Sequence, residues 1–519
     1  MPERIVETSF GKLRGEVREG IHVFKGVAYG ASTAGRNRFM PPQPVPAWAG
    51  VRDALAFGPT SPQPQIRDVP LFRWYHPQVN GSEDCLTLNV YTPGVRGHDA
   101  GSGKRPVMVW LHGGGFSFGG STADVFEGSN LARFGDVVVV TVTHRLNLFG
   151  FWYLSEQCPE LADSGNAGML DVVAALRWVR DNIASFGGDP GNVTVFGQSG
   201  GTGKISTLMA MPAARGLFHK AILQSGCALV LRTPEQAARH AHGVLSHLQY
   251  SGNILDALQK APIEQLQAAA RAGGFRFGAV VDARALPRQP FEPDATPVSA
   301  DVSVIIGSAA EEATYFYRKA LDRLPAHSMD DARRRVMQRL HCEVGEADRL
   351  IEAYRDSHPA ATLTHIATII ESDYLYRLKC LLFAERKARQ AAPVHMYLLA
   401  WQTPAMAGLY GAPHTMCPPL VFRNMHVAAD LLGVGAATQA LSNRMSSAWV
   451  AFAHTGKPDG AGLPPWPAYR LPQRATMVFD TDCAVVNDPL SNDRIAIAAY
   501  GPDAAYIRAE KGNTIRRSE

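Results

Sequence analysis

Long hydrophobic runs are missing from this chain. No stretch approaches the ~18 apolar residues that a membrane-spanning helix needs. The densest run, Val137 to Val142, is of strand length and β-branched. An excess of either charge is also missing: 51 Lys and Arg face 47 Asp and Glu, a net of +4. That balance gives no reason to expect nucleic acid or an anionic membrane as partner. Cysteine is sparse, with seven in 519 residues. The odd count and wide spacing argue for free thiols. Neither C-x-x-C nor H-E-x-x-H occurs, so no metal and no cofactor is expected. The start, Met1-Pro-Glu-Arg-Ile-Val-Glu7, lacks the apolar core of a signal peptide, which predicts a cytoplasmic protein.

What is present is an alternation of strand and helix patterns. Leu86 to Tyr91, Val107 to Leu111, Val137 to Thr143, Val193 to Phe196, Ala221 to Leu223 and Val302 to Ile306 read as buried strands, with late strands at His395 to Leu399 and Met477 to Asp480. Gly168 to Ile183 carries apolar residues at the spacing of one helix face. This predicts an α/β fold, a mostly parallel sheet flanked by helices. Residues 4–29 read as small antiparallel strands. Residues 233–275, opening on the capping box Thr233-Pro-Glu-Gln236, and 328–390 are helical and expected to cap the sheet. Residues 61–81 read as a long loop, a candidate pocket wall through Phe72, Trp74 and Tyr75. The polar tail 500–519 is expected to fray.

Gly197-Gln198-Ser199-Gly200-Gly201 fits G-x-S-x-G. Such a strand-to-helix turn exposes a strained serine, and its glycines admit backbones that nearly touch. The strand before it and the helix-compatible residues after it supply the required context. Gly203-Lys204 resembles the end of a phosphate loop, but Gln198 and Ile205 break that motif.

A serine nucleophile needs a base, and the base an orienting acid, both C-terminal to it in this arrangement. The acid is expected just beyond a strand end, at Glu312 or its neighbour Glu311. The base is sought on a loop beyond a strand, at His414, with His426 and His454 as rivals. His112-Gly-Gly-Gly115-Phe116 follows a buried strand and would offer backbone N–H groups to an oxyanion. The donors expected are Gly114, Gly115 and Gly200.

The serine segment from Phe186, the segment Glu83-Asp-Cys-Leu-Thr-Leu-Asn-Val-Tyr-Thr-Pro93, His112 to Phe116, Gln224-Ser-Gly226 and Trp466-Pro-Ala-Tyr469 together resemble the type-B carboxylesterase/cholinesterase family of α/β hydrolases, over about residues 5–490. The likeness is greatest to its bacterial para-nitrobenzyl-esterase-like branch. The resemblance implies the α/β-hydrolase fold, one catalytic domain over residues 1–519 with those cap insertions, and Ser199, Glu312 and His414 as a catalytic triad. It further implies Arg38–Glu83 and Arg145–Asp171 salt bridges. Three positions depart from the family's usual residues: Gln198 stands where Glu is common, Cys417 where an acid is common, and Ala313 where Gly is common. The upstream cysteine that pairs with Cys85 in secreted relatives is absent. Two lost negative charges, with aromatics Phe72, Trp74, Tyr75, Phe116 and Phe118, predict a pocket for small neutral, apolar or aromatic esters, with Gln198 and Cys417 on its wall. Amides or carbamates are the alternative substrates, and a monomer or homodimer is expected.

Overall fold

A computed structural model describes residues 3–64, 66, 68–77, 79–97, 104–248, 253–272 and 277–501. The expected fraying of the tail therefore lies almost wholly outside the described residues.

Among the described residues, thirteen strands form one sheet. They are β1 (Glu3–Glu7), β2 (Lys12–Arg18), β3 (Ile21–Ala28), β4 (Val51–Asp53), β5 (Thr87–Thr92), β6 (Arg105–Leu111), β7 (Val138–Val142), β8 (Gly188–Gln198), β9 (Lys220–Gln224), β10 (Ser303–Ala309), β11 (Val394–Leu399), β12 (Ala475–Phe479) and β13 (Ala484–Asn487). Their order is β1-β2-β3-β5-β7-β6-β8-β9-β10-β11-β12-β13, with β4 beside β2. From β7 to β12 every pair is parallel. Both flanks are antiparallel, except that β4 pairs β2 in parallel.

The central strands are apolar on both faces because both faces are covered. Val107, Val109 and Leu111 of β6 enter one core, while Met108 and Trp110 enter the other. β7 splits in the same way, with Val138, Val140 and Val142 opposite Val139. Each such fully buried side chain contributes about 1.5–3 kcal/mol. The helices Ala167–Asn182 and Gly200–Ala210 cover the first face, and Ala436–Thr455 covers the second through Met445 and Trp449.

Among the described residues, helices stand in the chain between β9 and β10 and between β10 and β11, while 249–252 and 273–275 of the first expected block lie outside the described residues. Pro234–Leu245, Ile254–Lys260 and Ile263–Ala272 pack with Phe39, Phe149 and Trp152. Met329–Leu340, Val344–Ser357 and the long run 363–387 build a further cluster with Ile497 and Tyr500. Thr233 with Gln236 and Ser328 with Asp331 form capping boxes. Residues 70–75, read as open loop, are instead a 3₁₀ helix. No helix among the described residues is long and apolar enough to cross a membrane.

Candidate active site

The C-terminal edge of the parallel strands gathers the loops, as in other open α/β sheets. β8 ends at Gln198, and Ser199 follows with φ 56° and ψ −120° before the helix opens at Gly200. For a residue with a side chain this backbone is strained. The strain is held by contact. A Cβ at Gly201 would stand 2.0 Å from the Leu111 carbonyl oxygen, so only glycine lets helix and strand approach. The Ser199 N–H donates to the Gln224 carbonyl at 2.9 Å, and the side chain stays partly exposed.

The glycine loop after β6 lies directly against this turn: a Cβ at Gly200 would meet Gly115 atoms at 2.2–2.4 Å. Among the described residues no acceptor takes the N–H of Gly114, Gly115 or Gly200. Those donors are free for an anionic oxygen. Asn147 ties down the end of the loop, its N–H donating to the Phe116 carbonyl at 2.7 Å and its amide to the Ser117 carbonyl at 3.3 Å. From beneath, the Lys204 ammonium donates to the His112 carbonyl at 2.9 Å. Burial pushes Lys204 down to about 7. Burial, with the Lys204 charge, also holds the stacked imidazoles of His112 and His144 well below the ordinary histidine value, so both are neutral.

Glu312 follows β10 and His414 follows β11. Glu312 Oε2 is hydrogen-bonded to His414 Nδ1, and its Oε1 accepts the Ala309 N–H at 2.8 Å. Both side chains are buried. Glu311 serves the loop rather than the imidazole, since its carboxylate accepts the Ala412 N–H at 2.8 Å and meets His365 Nε2 at 3.1 Å. His426 is exposed, and His454 bonds the Gly135 carbonyl at 2.9 Å.

A polar and aromatic surround encloses His414. The Gln198 amide nitrogen is 3.0 Å from Nε2 and 3.3 Å from Nδ1. Near-equal distances to both ring nitrogens place it over the ring face. The other end of that amide accepts from the Tyr75 hydroxyl. The Tyr376 ring stacks on His414 with centroids 4.6 Å apart, and its hydroxyl lies 3.5 Å from Nε2. The Ser199 side chain lies close to the same hydroxyl and eases its ionisation. Among the described residues, no hydrogen bond joins the Ser199 hydroxyl to His414 directly. Phe316, 42% exposed, and Tyr315 complete the collar, each with its ring centroid 5.6 Å from that of His414.

The other sequence candidates scatter. Phe72 is fully buried against Tyr315 and Tyr410, a core residue with no face toward a ligand. Trp74 is buried with its indole N–H on the Leu71 carbonyl. Phe116 packs edge-on to Phe151 and lies beside Lys204. Phe118 lines a separate recess with Asn147, Leu148 and Phe277. Cys417 is buried against the Tyr397 hydroxyl at 3.8 Å. Tyr376, Phe316 and Lys204 were not anticipated. The aromatic run Tyr315-Phe-Tyr317 just after Glu312 is the one local signal that pointed to any of them.

Both implied ion pairs are present and bidentate. Arg38 grips Glu83 at 2.7 and 2.6 Å, and Arg145 grips Asp171 at 2.8 and 2.6 Å.

A serine on a strand-to-helix turn at the edge of such a sheet defines an α/β hydrolase. The model of the carboxylesterase family matches residues 2–497. The para-nitrobenzyl esterase of Bacillus subtilis is 35% identical over 95% of this chain and 98% of its own. The phenmedipham hydrolase of Pseudarthrobacter oxydans is 33% identical over 95% and 98%. The crystal structure of a Geobacillus stearothermophilus carboxylesterase superposes with a TM-score of 0.83 at 36% identity, covering 95% of this chain and 99% of that one. The chain belongs to the carboxylesterase family. It is a serine hydrolase that cleaves small-molecule esters.

Proposed function

We propose that Ser199, His414 and Glu312 carry out this hydrolysis, on neutral, apolar or aromatic esters. The observation that carries the reading is the Glu312–His414 hydrogen bond beside a strained, partly exposed serine. Ser199 closes onto His414 Nε2 and gives it its proton as it attacks the carbonyl carbon. Catalytic hydrogen bonds tighten in this way when substrate enters. Glu312 fixes the imidazole by Nδ1 and stabilises its charged form. The N–H groups of Gly114, Gly115 and Gly200 receive the oxyanion, each typically worth about 3 kcal/mol of barrier. The imidazolium then protonates the departing alcohol, and water repeats the cycle on the acyl-enzyme.

Neutral substrates are supported by the uncharged Gln198 amide over His414 and by the exposed Phe316 at the opening. The second helical block acts as a cap, since Ser372 accepts the Ala313 N–H and Tyr376 stacks on His414 from the same helix. All seven cysteines are free thiols, which supports a cytoplasmic home.

An organophosphate label should attach to the wild type and not to Ser199→Ala, with p-nitrophenyl butyrate hydrolysis lost alongside. Labelling or full turnover in Ser199→Ala would remove the nucleophile assignment. Faster cleavage of butyrylcholine than of a neutral butyrate ester of equal size would remove the substrate class.

A further inference from the structure

The helix that brings Tyr376 to Ser199 is not regular. Leu363–Ser372 and Leu378–Lys387 are α-helical, but Asp373–Arg377 between them is a π turn. Such a turn admits an extra residue, rotates the helix beyond it, and is common at functional sites. Here it is clamped by buried polar contacts. Asp373 and Arg377 form a buried ion pair at 2.7 Å. The Tyr354 hydroxyl donates to Asp373 at 2.8 Å, and Arg377 donates to the carbonyls of Pro489 and Leu490 at 2.8 and 3.0 Å.

With its neighbours so tied, Tyr376 has one place to go. Its ring lies parallel to Phe316 at 6.2 Å and fills the space beside Gly226, where a Cβ would stand 3.0 Å from Cδ1. Its hydroxyl thereby lies 3.5 Å from His414 Nε2, on the side where Ser199 also acts on it. Burial and the Glu312 charge hold the phenol well above its ordinary value, so it remains a donor.

Ester cleavage places one further atom beside those same two groups. The leaving oxygen is bonded to the carbon that Ser199 Oγ has attacked, and it takes its proton from His414 Nε2. It must pass within hydrogen-bond reach of both. We propose that Tyr376 is a further catalytic residue, whose hydroxyl, held beside His414 Nε2, donates a hydrogen bond to the leaving-group atom. As the tetrahedral adduct collapses, the carbon–oxygen bond breaks and its electron pair stays on the leaving oxygen. The proton comes from His414, and Tyr376 keeps its own. This assignment rests on the Ser199–His414–Glu312 reading.

The contribution grows with the charge held on the departing atom. A p-nitrophenolate spreads its charge and needs little help, whereas an alkoxide or an amine needs much. The test compares wild type with Tyr376→Phe on butyrate esters of p-nitrophenol, phenol and ethanol. Rates are normalised to sites titrated with the organophosphate, so that a partly unfolded variant is still read correctly. We expect kcat/KM to fall about threefold on the p-nitrophenyl ester and about tenfold or more on the ethyl ester. The dependence on leaving-group pKa therefore steepens. Phe316→Ala, which removes a ring contact but no hydroxyl, should lower all three substrates by one factor. An equal loss across the series in Tyr376→Phe, or no loss, would overturn the proposal. Wild type that takes no label, or Ser199→Ala that does, would instead strike the underlying triad.

Discussion

Two buried cations flank the glycine loop, and they are accommodated in opposite ways. Arg145, which lies beyond β7, is gripped by the Asp171 carboxylate through two guanidinium contacts and its own N–H, and it also donates to the Met40 carbonyl at 2.7 Å. Burial works against its charge, but Asp171 more than offsets this and the guanidinium stays above its ordinary value. Lys204 lies just as deep and, among the described residues, has only the His112 carbonyl as hydrogen-bond partner. Nothing offsets its burial, and it descends to about 7. A paired cation is fixed structure at any working pH, whereas an unpaired one titrates.

The sharpest way to break this comparison is to unpair Arg145. Asp171→Ala leaves a guanidinium with 1% of its side chain exposed facing no anion. Removing one partner of a buried pair costs about 3–5 kcal/mol, so urea unfolding should show a loss of that size. A loss below about 1 kcal/mol would mean that water reaches the site and that Arg145 is not truly dry. Arg38 offers a milder version of the experiment. It is nearer the surface and keeps the Leu258 and Ala261 carbonyls at 3.0 and 2.6 Å when its carboxylate is neutralised. Glu83→Gln should therefore cost about 2 kcal/mol or less. A larger loss than in Asp171→Ala would reverse the ranking of the two pairs.

The same division, between local and distant causes, separates the features legible in the sequence from those that were not. The serine turn was legible because its chemistry is backbone chemistry: Gly201 must be small, and the strand and helix lie on either side of it in the chain. The central strands were legible as β-branched runs of strand length. The choice of Glu312 over its rival Glu311 leaned on the family resemblance, since adjacent carboxylates differ only in how the 3₁₀ turn at Glu312–Tyr317 aims them. Phe72 illustrates the same limit. An aromatic in an irregular stretch serves core or pocket equally well, and here the rings of Tyr315 and Tyr410 decided for the core. Tyr376 was hidden by its π turn, because the 3.6-residue period used to assign helix faces fails where a residue is inserted. Lys204 was hidden by expectation, as lysine is almost never fully buried without a partner.

The smallest effect carries the sign that distinguishes the two cations. Lys204→Met removes the buried ammonium and also the donor to His112. The second loss does not vary with pH, but the first does. The folded value near 7 lies below the ordinary 10.5, so between them the unfolded chain binds more protons than the folded one. Wild-type stability from this group therefore rises with pH across that window, and below it the full cost of burying the charge is present. Lys204→Met lacks this slope. Unfolding free energies of both proteins at pH 6.5, 8 and 9.5 should show the wild type gaining on the variant by about 1 kcal/mol per pH unit above pH 7. The neighbouring imidazoles do not blur the reading, because His112 and His144 are already neutral at the start of the window. A difference that stays flat across all three pH values would show that Lys204 keeps its proton when folded. Its carbonyl contact would then stabilise the charge as fully as Asp171 does for Arg145, and the contrast between the two cations would vanish.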